Sequence, residues 1–429
     1  MKGLDLRAGS IAFASIGSFG AKAMQSLSGL GVSMLLAHLL TVEEMGAYGV
    51  LIGLLGIATI PAHAGIGRFM MRAVARARSH NEKSMVGSLI SWGRSSAYIY
   101  GLILASPLLF LSLVLNEQQP EVMKIATLLL PAFFATLLIR TDAGALAGLR
   151  RTISSQSTDL VRNAVMMVLL ALVLALYGRG SLPSACLIFG AGAMSAHLMT
   201  RIRLRDIRIP SSWQSLPIWG DAWKSSLPFL AVGSITILLS RMDVVLVGFL
   251  SGAEEAGRFH IASQFSGIVL FGLTALQASL TPHFVSLHER REANRLKNLA
   301  IKASILSSAA GALLFLVLFF GGEALIEQLY GQAYVEAISI ILPLALAHLV
   351  HSFGGIFSSL LGATGNEKAT LRSVMRSGFI KVLAAPILIA LFGGVGAAWS
   401  LVLYTSVLAI LQARHAWVHI LGGASSRHV

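Results

Sequence analysis

The sequence predicts an all-α polytopic membrane protein of twelve transmembrane helices arranged as two six-helix bundles. Three observations carry this expectation. Only 12% of the 429 residues are charged, about half the share of a soluble globular domain. Mean hydropathy is +0.76. Apolar stretches long enough to cross a bilayer as a helix, about 20 residues, recur from one end of the chain to the other.

Polar clusters mark the breaks between spans. The opening MKGLDLRAGSIAFASIGSFGAKAMQ lacks a small-residue cleavage site after a short apolar core, so it reads as the approach to span 1, residues 11–40. Acidic 41–44 separates it from span 2, 45–66, and basic 67–84 leads to span 3, 85–115. Residues 116–121 precede span 4, 122–148; residues 149–162 overlap the start of span 5, 160–178; and 179–182 precede span 6, 183–202. The longest polar segment, 201–226, comes before span 7, 227–250. Segments 251–256, 281–302 and 321–336 then introduce spans 8, 9 and 10 at 257–280, 299–322 and 337–363. Spans 11 and 12, at 374–393 and 397–420, follow 364–376 and 393–396. Pro61, Pro131, Pro228, Pro343 and Pro386 fall in or near spans, where they supply kinks. Cys186 is the single cysteine, so no disulfide forms within one chain.

Charge alternates across these segments. The N-terminus, 67–84, 149–162, 201–226, 281–302, 364–376 and the C-terminus hold 25 of the 33 Lys and Arg. The opposite loops hold one arginine, Arg179, against nine acids: Glu43, Glu44, Glu117, Glu121, Glu254, Glu255, Glu323, Glu327 and Glu336. Short cytoplasmic loops are rich in Lys and Arg, so both termini are expected in the cytoplasm. The net charge of +14 is then accounted for without nucleic acid, which would need a concentrated basic soluble module.

LLAHLLTVEEMGAY (Leu35–Tyr48) resembles LVGFLSGAEEAGRF (Leu246–Phe259) at a constant offset of 211 residues, close to half the chain. The offset superimposes span 1 on span 7. Six spans return the chain to its starting side, so the two halves are parallel repeats, a transporter design with the substrate between them. The expected division is an N-terminal bundle at 1–205, a linker at 206–226 and a C-terminal bundle at 227–429.

Three stretches carry a family resemblance. SRMDVVLVGFLSGAEEAGRFHIA places an Asp in span 7 before a short loop and a Gly-x-aromatic start to span 8, and LLTVEEMGAYGV is its counterpart in the first half. LLGATGNEKATLRSVMRSGFIKVLAAPILIALFGGVGAAWSLVL covers the end of span 10 through span 12. With the length and span count, these resemble the polysaccharide transporter family, the Wzx-type lipid-linked oligosaccharide flippases of the MOP superfamily. The resemblance implies a MOP/MATE-like fold of two bundles that alternate between inward- and outward-open states. It implies the bacterial inner membrane, an undecaprenyl-diphosphate-linked oligosaccharide as substrate, and coupling to H+ or Na+. Membrane lipids, a polysaccharide polymerase and glycosyltransferases are the partners it suggests.

The charges inside the spans are the candidate site. An Arg or Asp at the centre of a span costs about 2.5–3.5 kcal/mol on insertion scales, so it needs a reason to be there. Lys124, Arg258 and Lys381 lie near span ends and are expected to snorkel. Lys22, Arg94, Arg140 and Arg241 are deeper, with Asp142 and Asp243 as the acids set against them. Arg140/Asp142 and Arg241/Asp243 are i,i+2 pairs, which point to different sides of a helix and do not neutralise themselves. The surplus of bases suits a diphosphate, through forked guanidinium contacts and a compact ammonium. Lys22, Arg94, Arg140, Arg241 and Gln25 are therefore expected to bind substrate. Asp142 and Asp243 are expected to gate or couple, Asp243 either as half of a lock with Lys22 or Arg140 or as an ion site.

Gln264 and Gln277 read equally as sugar contacts or interhelical hydrogen bonds. His348 and His351, i,i+3 on span 10, are expected to pack or line a cavity rather than bind metal. The sequence offers no nucleophile–base arrangement, metal-ligand cluster or phosphate-cradling glycine loop, so neither an enzyme nor a cofactor is expected. A cation-coupled multidrug exporter of the same superfamily would want an acid-rich cavity. A non-transporting scaffold of a polysaccharide assembly complex would not need unpaired deep cations.

Overall fold

A computed structural model describes residues 8–115, 120–207 and 218–421. Every regular element among them is helical: α1 (Ala8–Leu39), α2 (Val42–Ala58), α3 (Gly67–Ser79), α4 (Lys83–Leu115), α5 (Pro120–Gly148), α6 (Thr152–Tyr177), α7 (Leu182–Arg203), α8 (Ile218–Ser251), α9 (Ala253–Ser266), α10 (Phe271–Glu289), α11 (Ala293–Tyr330), α12 (Ile338–Ala363) and α13 (Glu367–Ala416). Much of the expected linker and of the 116–121 loop lies outside the described residues. Eight of the described helical stretches are long and apolar enough to cross a membrane.

The helices follow the expected spans, with three differences of substance. Span 2 continues through a π-helical turn at Pro61–Ile66 into α3, so much of the basic 67–84 segment is helix. Span 5 begins at Thr152, eight residues early, which moves Asp159 and Arg162 from an expected loop edge into a helix. Spans 11 and 12 follow one another without an intervening loop: the two helices of α13 meet at Gly393, whose φ of 59° and ψ of −138° are open to glycine and strained for other residues, and the chain turns back sharply there, since a Cβ on Gly396 would lie 1.9 Å from the Leu388 carbonyl oxygen.

The chain divides into two compact units, one of Met24–Glu44 and Val50–Met242, the other of Met1–Ala23, Met45–Gly49 and Asp243–Val429. In the first, α5 is the central helix and packs against α3, α4, α6 and α7. Its core includes Ile66, Met70, Val74, Ile90, Trp92 and Leu146, all essentially inaccessible. In the second, α12 is central and packs against α9, α10, α11 and α13, with Leu273, Phe284, Ile356, Leu360 and Leu361 buried around it. Large apolar side chains such as Val168, Phe320, Leu391 and Ile410 are exposed, as a surface bathed in lipid requires.

The repeated sequence meets itself in the second unit. A Cβ on Gly46 would lie 1.7 Å from the Ala253 carbonyl oxygen and 2.8 Å from the Gly257 nitrogen. Gly46 and Gly257 are equivalent positions of the 211-residue repeat. Only glycine allows α2 and α9 to approach so closely.

Candidate functional site

The charges inside the helices sort into three clusters. Two hang from α5, because Arg140 and Asp142 point to different sides of it. Asp142 is fully buried. Arg94 of α4 grips it with a fork, Nε to Oδ1 at 2.9 Å and Nη2 to Oδ2 at 3.0 Å. The Thr200 hydroxyl of α7 adds a third hydrogen bond at 3.2 Å. This saturated pair joins three helices, a structural use of charge in a dry interior.

The second cluster centres on Asp159 of α6. Arg140 reaches it with a second fork, Nη1 to Oδ2 at 3.1 Å and Nη2 to Oδ1 at 3.2 Å. Arg162, one turn along α6, places Nη1 at 3.1 Å from Oδ1. Gln25 of α1 donates its amide to Oδ2 at 2.9 Å. Asn163 supports Gln25 by donating to the Ser28 hydroxyl at 3.0 Å. The arginine side chains here keep partial exposure, 24% for Arg140 and 20% for Arg162, around a buried Asp159.

Arg241 of α8 completes this group. It is exposed and, among the described residues, makes no ion pair or hydrogen bond. The charges that act on it are those of Arg140, Arg162 and Asp159. Gly56 lies alongside it, since a Cβ there would sit 3.4 Å from both Cγ and Nε of Arg241. Two guanidinium groups thus bind one carboxylate, and a third stands near them without a bond of its own among the described residues.

The third cluster lies in the other unit. Lys381 of α13 is fully buried, with Nζ 2.7 Å from Oδ2 of Asp243 and 5.5 Å from the ring centre of Tyr404. Oδ1 of Asp243 is buried without a hydrogen-bond partner among the described residues. His348 of α12 stands within the influence of Lys381 and of His351.

Several expectations change. Lys381 does not snorkel: Ser373, Ser377 and Lys381 recur every four residues along a buried face of α13, which carries the ammonium inward. Asp243 pairs with Lys381, and Arg140 with Asp159. Arg94 and Arg140 are paired, because a third acid, Asp159, joins Asp142 and Asp243. Arg258 is engaged by Glu254 and Glu336 at 2.7 and 2.9 Å. Lys22 lies on α1, and its side chain is outside the described set. The residues that sequence reasoning passed over, Asp159, Arg162 and Lys381, each carried a signal. Asp159 and Arg162 have helical i,i+3 spacing in a polar stretch without a helix breaker, and Lys381 continues the small-residue face. Among the described residues, no three His, Cys, Asp or Glu side chains gather closely enough to hold a metal ion.

A family profile described as "Polysaccharide biosynthesis protein" matches residues 16–288. The "Putative O-antigen transporter" of Escherichia coli (strain K12) is 26% identical over 180 residues, 40% of this chain and 41% of the relative. "Inner membrane protein YghQ" of the same organism is 28% identical over 123 residues, 29% of this chain and 33% of the relative. The matched stretches thus span less than half of either relative. Among solved structures, an inward-facing multidrug resistance MATE family transporter of the MOP superfamily superposes with a TM-score of 0.77 at 16% identity, covering 96% of this chain and all of that one. A MOP superfamily transporter from Pyrococcus furiosus gives 0.68 at 14% identity, over 96% and 95% of the two chains. At such identities the likeness is one of fold.

Proposed function

The chain belongs to the polysaccharide biosynthesis protein family, and from that premise we propose that it is a flippase for an anionic, polyprenyl-diphosphate-linked oligosaccharide. The observation that carries this reading is Arg241: an exposed guanidinium with no counter-ion among the described residues, beside Arg140 and Arg162, which share Asp159. A cationic surface of this kind attracts phosphate and repels cationic drugs. The names of the two Escherichia coli relatives, an O-antigen transporter and an inner membrane protein, support the substrate class and the bacterial inner membrane. The Pyrococcus furiosus transporter is described as having a binding pocket of reversed polarity, a precedent for the fold carrying either sign of charge.

In this reading the diphosphate follows Arg241, Arg140 and Gln25 while the polyprenyl chain stays in lipid. The Arg94–Asp142 pair holds α4, α5 and α7 together beside the path. The Asp243–Lys381 pair is the candidate coupling element. Both termini face the cytoplasm.

The test is export of a lipid-linked glycan in cells. Arg241→Ala is expected to reduce it sharply at normal protein level, and Arg241→Lys to retain part of it, since the charge stays and the fork is lost. Normal export by Arg241→Ala at comparable expression would overturn the reading.

A further inference from the structure

We propose that Asp159 is a built-in stand-in for the substrate's phosphate, holding the arginine site assembled until a diphosphate displaces it. The inference rests on the flippase reading above and deepens it by assigning a role to a residue inside the same site. Its basis is the way donors converge. Arg140 from α5, Arg162 from α6 and Gln25 from α1 all aim at one carboxylate, at 2.9–3.2 Å. Forked guanidinium groups and an amide are the donors that a phosphoryl oxygen set accepts, at the same distances. The carboxylate occupies the position from which those donors would grip a phosphate.

Two features set this cluster apart from a structural strut such as Arg94–Asp142. The first is stoichiometry, three arginines to one acid, with Arg241 left over. The second is exposure. Asp142 is fully buried and Arg94 keeps only 15% of its side chain exposed, whereas Arg140 and Arg162 keep 24% and 20% and Arg241 is exposed. Without an anion at the centre, Arg140, Arg162 and Arg241 would repel one another and splay. Asp159 keeps them gathered when no substrate is present. Arg241, lacking a partner of its own, makes first contact with an arriving diphosphate. The phosphate then takes over the donors of Arg140 and Arg162, and the carboxylate withdraws. On release Asp159 returns, so the carrier sheds a multiply charged ligand without leaving bare cations behind. Asp159 therefore weakens substrate binding and speeds release.

The test uses the full-length protein in lipid nanodiscs, with geranylgeranyl diphosphate as probe and geranylgeraniol as the uncharged control. Asp159→Asn keeps the side-chain shape and removes the competing charge. It is expected to bind the diphosphate about tenfold tighter than the unaltered protein, with no change toward the alcohol, and to export glycan more slowly. Asp159→Ser is expected to act in the same direction. Affinity equal to or below that of the unaltered protein in folded Asp159→Asn and Asp159→Ser would overturn the stand-in role. If neither variant folds in the membrane, Asp159 is a strut and the role is likewise overturned. A different failure, in which the unaltered protein binds the diphosphate no better than the alcohol, would strike the flippase reading itself.

Discussion

Glu44 and Glu255, 211 residues apart, do the same work in their separate units. Each accepts a hydrogen bond from a backbone N–H near the start of a helix, Leu182 of α7 at 3.2 Å and Gly394, just past the turn in α13, at 2.8 Å. Glu44 also closes a capping box with Thr41 at the start of α2. Backbone groups at helix starts lack partners within the helix, and these carboxylates supply them. Glu44→Ala and Glu255→Ala are each expected to destabilise by about 0.5–2 kcal/mol, as loss of a helix cap does. The corresponding Gln variants should lose less, because an acceptor oxygen remains. Melting temperatures of the four purified variants check this, and Gln as damaging as Ala would show that charge, not capping, is at stake.

The Lys381–Asp243 pair should behave as one object. Lys381→Met leaves a buried carboxylate uncompensated, a change that costs about 3–5 kcal/mol in buried pairs. Adding Asp243→Asn to it should recover most of that loss. A double-mutant cycle on thermal unfolding in detergent measures the coupling. Additive effects would mean that the two charges stand independently.

Arg94 and Arg241 should part company despite their equal claim in the sequence. Arg94→Ala strands the fully buried Asp142 and is expected to lower folded protein and export together. Arg241→Ala breaks no pair among the described residues, so its melting temperature should stay within about 0.5 kcal/mol equivalent of the unaltered protein, as for surface changes elsewhere. Size-exclusion profiles and melting curves of the two variants side by side provide the comparison.

Beyond the spans, Arg151 forks onto Asp206 in the segment that follows α7. That hydrogen bond holds the Asp206 carboxyl below the usual carboxylate range. A depressed carboxyl stabilises the folded state above its unfolded value of about 3.9 and loses that contribution as pH falls through the lower folded value. The pair is exposed, so the effect is small, below about 1 kcal/mol. Asp206→Asn should therefore melt slightly below the unaltered protein at pH 7, and the gap should close as pH falls below the usual carboxylate range. A gap independent of pH would remove the ion pair from the account.

Orientation has its own test. Reporter fusions at Ser79, where α3 ends, and at Gln328, in the last turns of α11, should give cytoplasmic and periplasmic signals respectively. The same side for both would overturn the assignment drawn from loop charge.

The sequence disclosed most of the architecture because bilayer crossing imposes one strong requirement, a long apolar helix, and breaks in that pattern are visible. Charge pairing was less legible. Arg140 and Asp142 could be seen to face apart, but not what each would meet, since their partners lie 19 and 48 residues away on other helices. The helical setting of Asp159 was hidden because polar residues at the start of α6, Ser154, Ser155, Gln156 and Ser157, look like a loop by hydropathy, while the Ser155 and Ser157 hydroxyls donate to the carbonyls of Ala143 and Ser154. Distance from a span end says nothing about which way the Lys381 side chain points. The serine face below it was the better guide.

The single non-helical residue of α13 also has a mechanical meaning. Residues 367–392 carry Lys381 and residues 394–416 carry Tyr404, and only Gly393 joins them. Such a joint has no slack: there is no loop to absorb a displacement between the two arms. Glu255 clips the first N–H beyond the joint, which fixes the pivot. The turn thus lays the arm bearing the ammonium against the arm bearing the aromatic ring, whose centre lies 5.5 Å from Nζ.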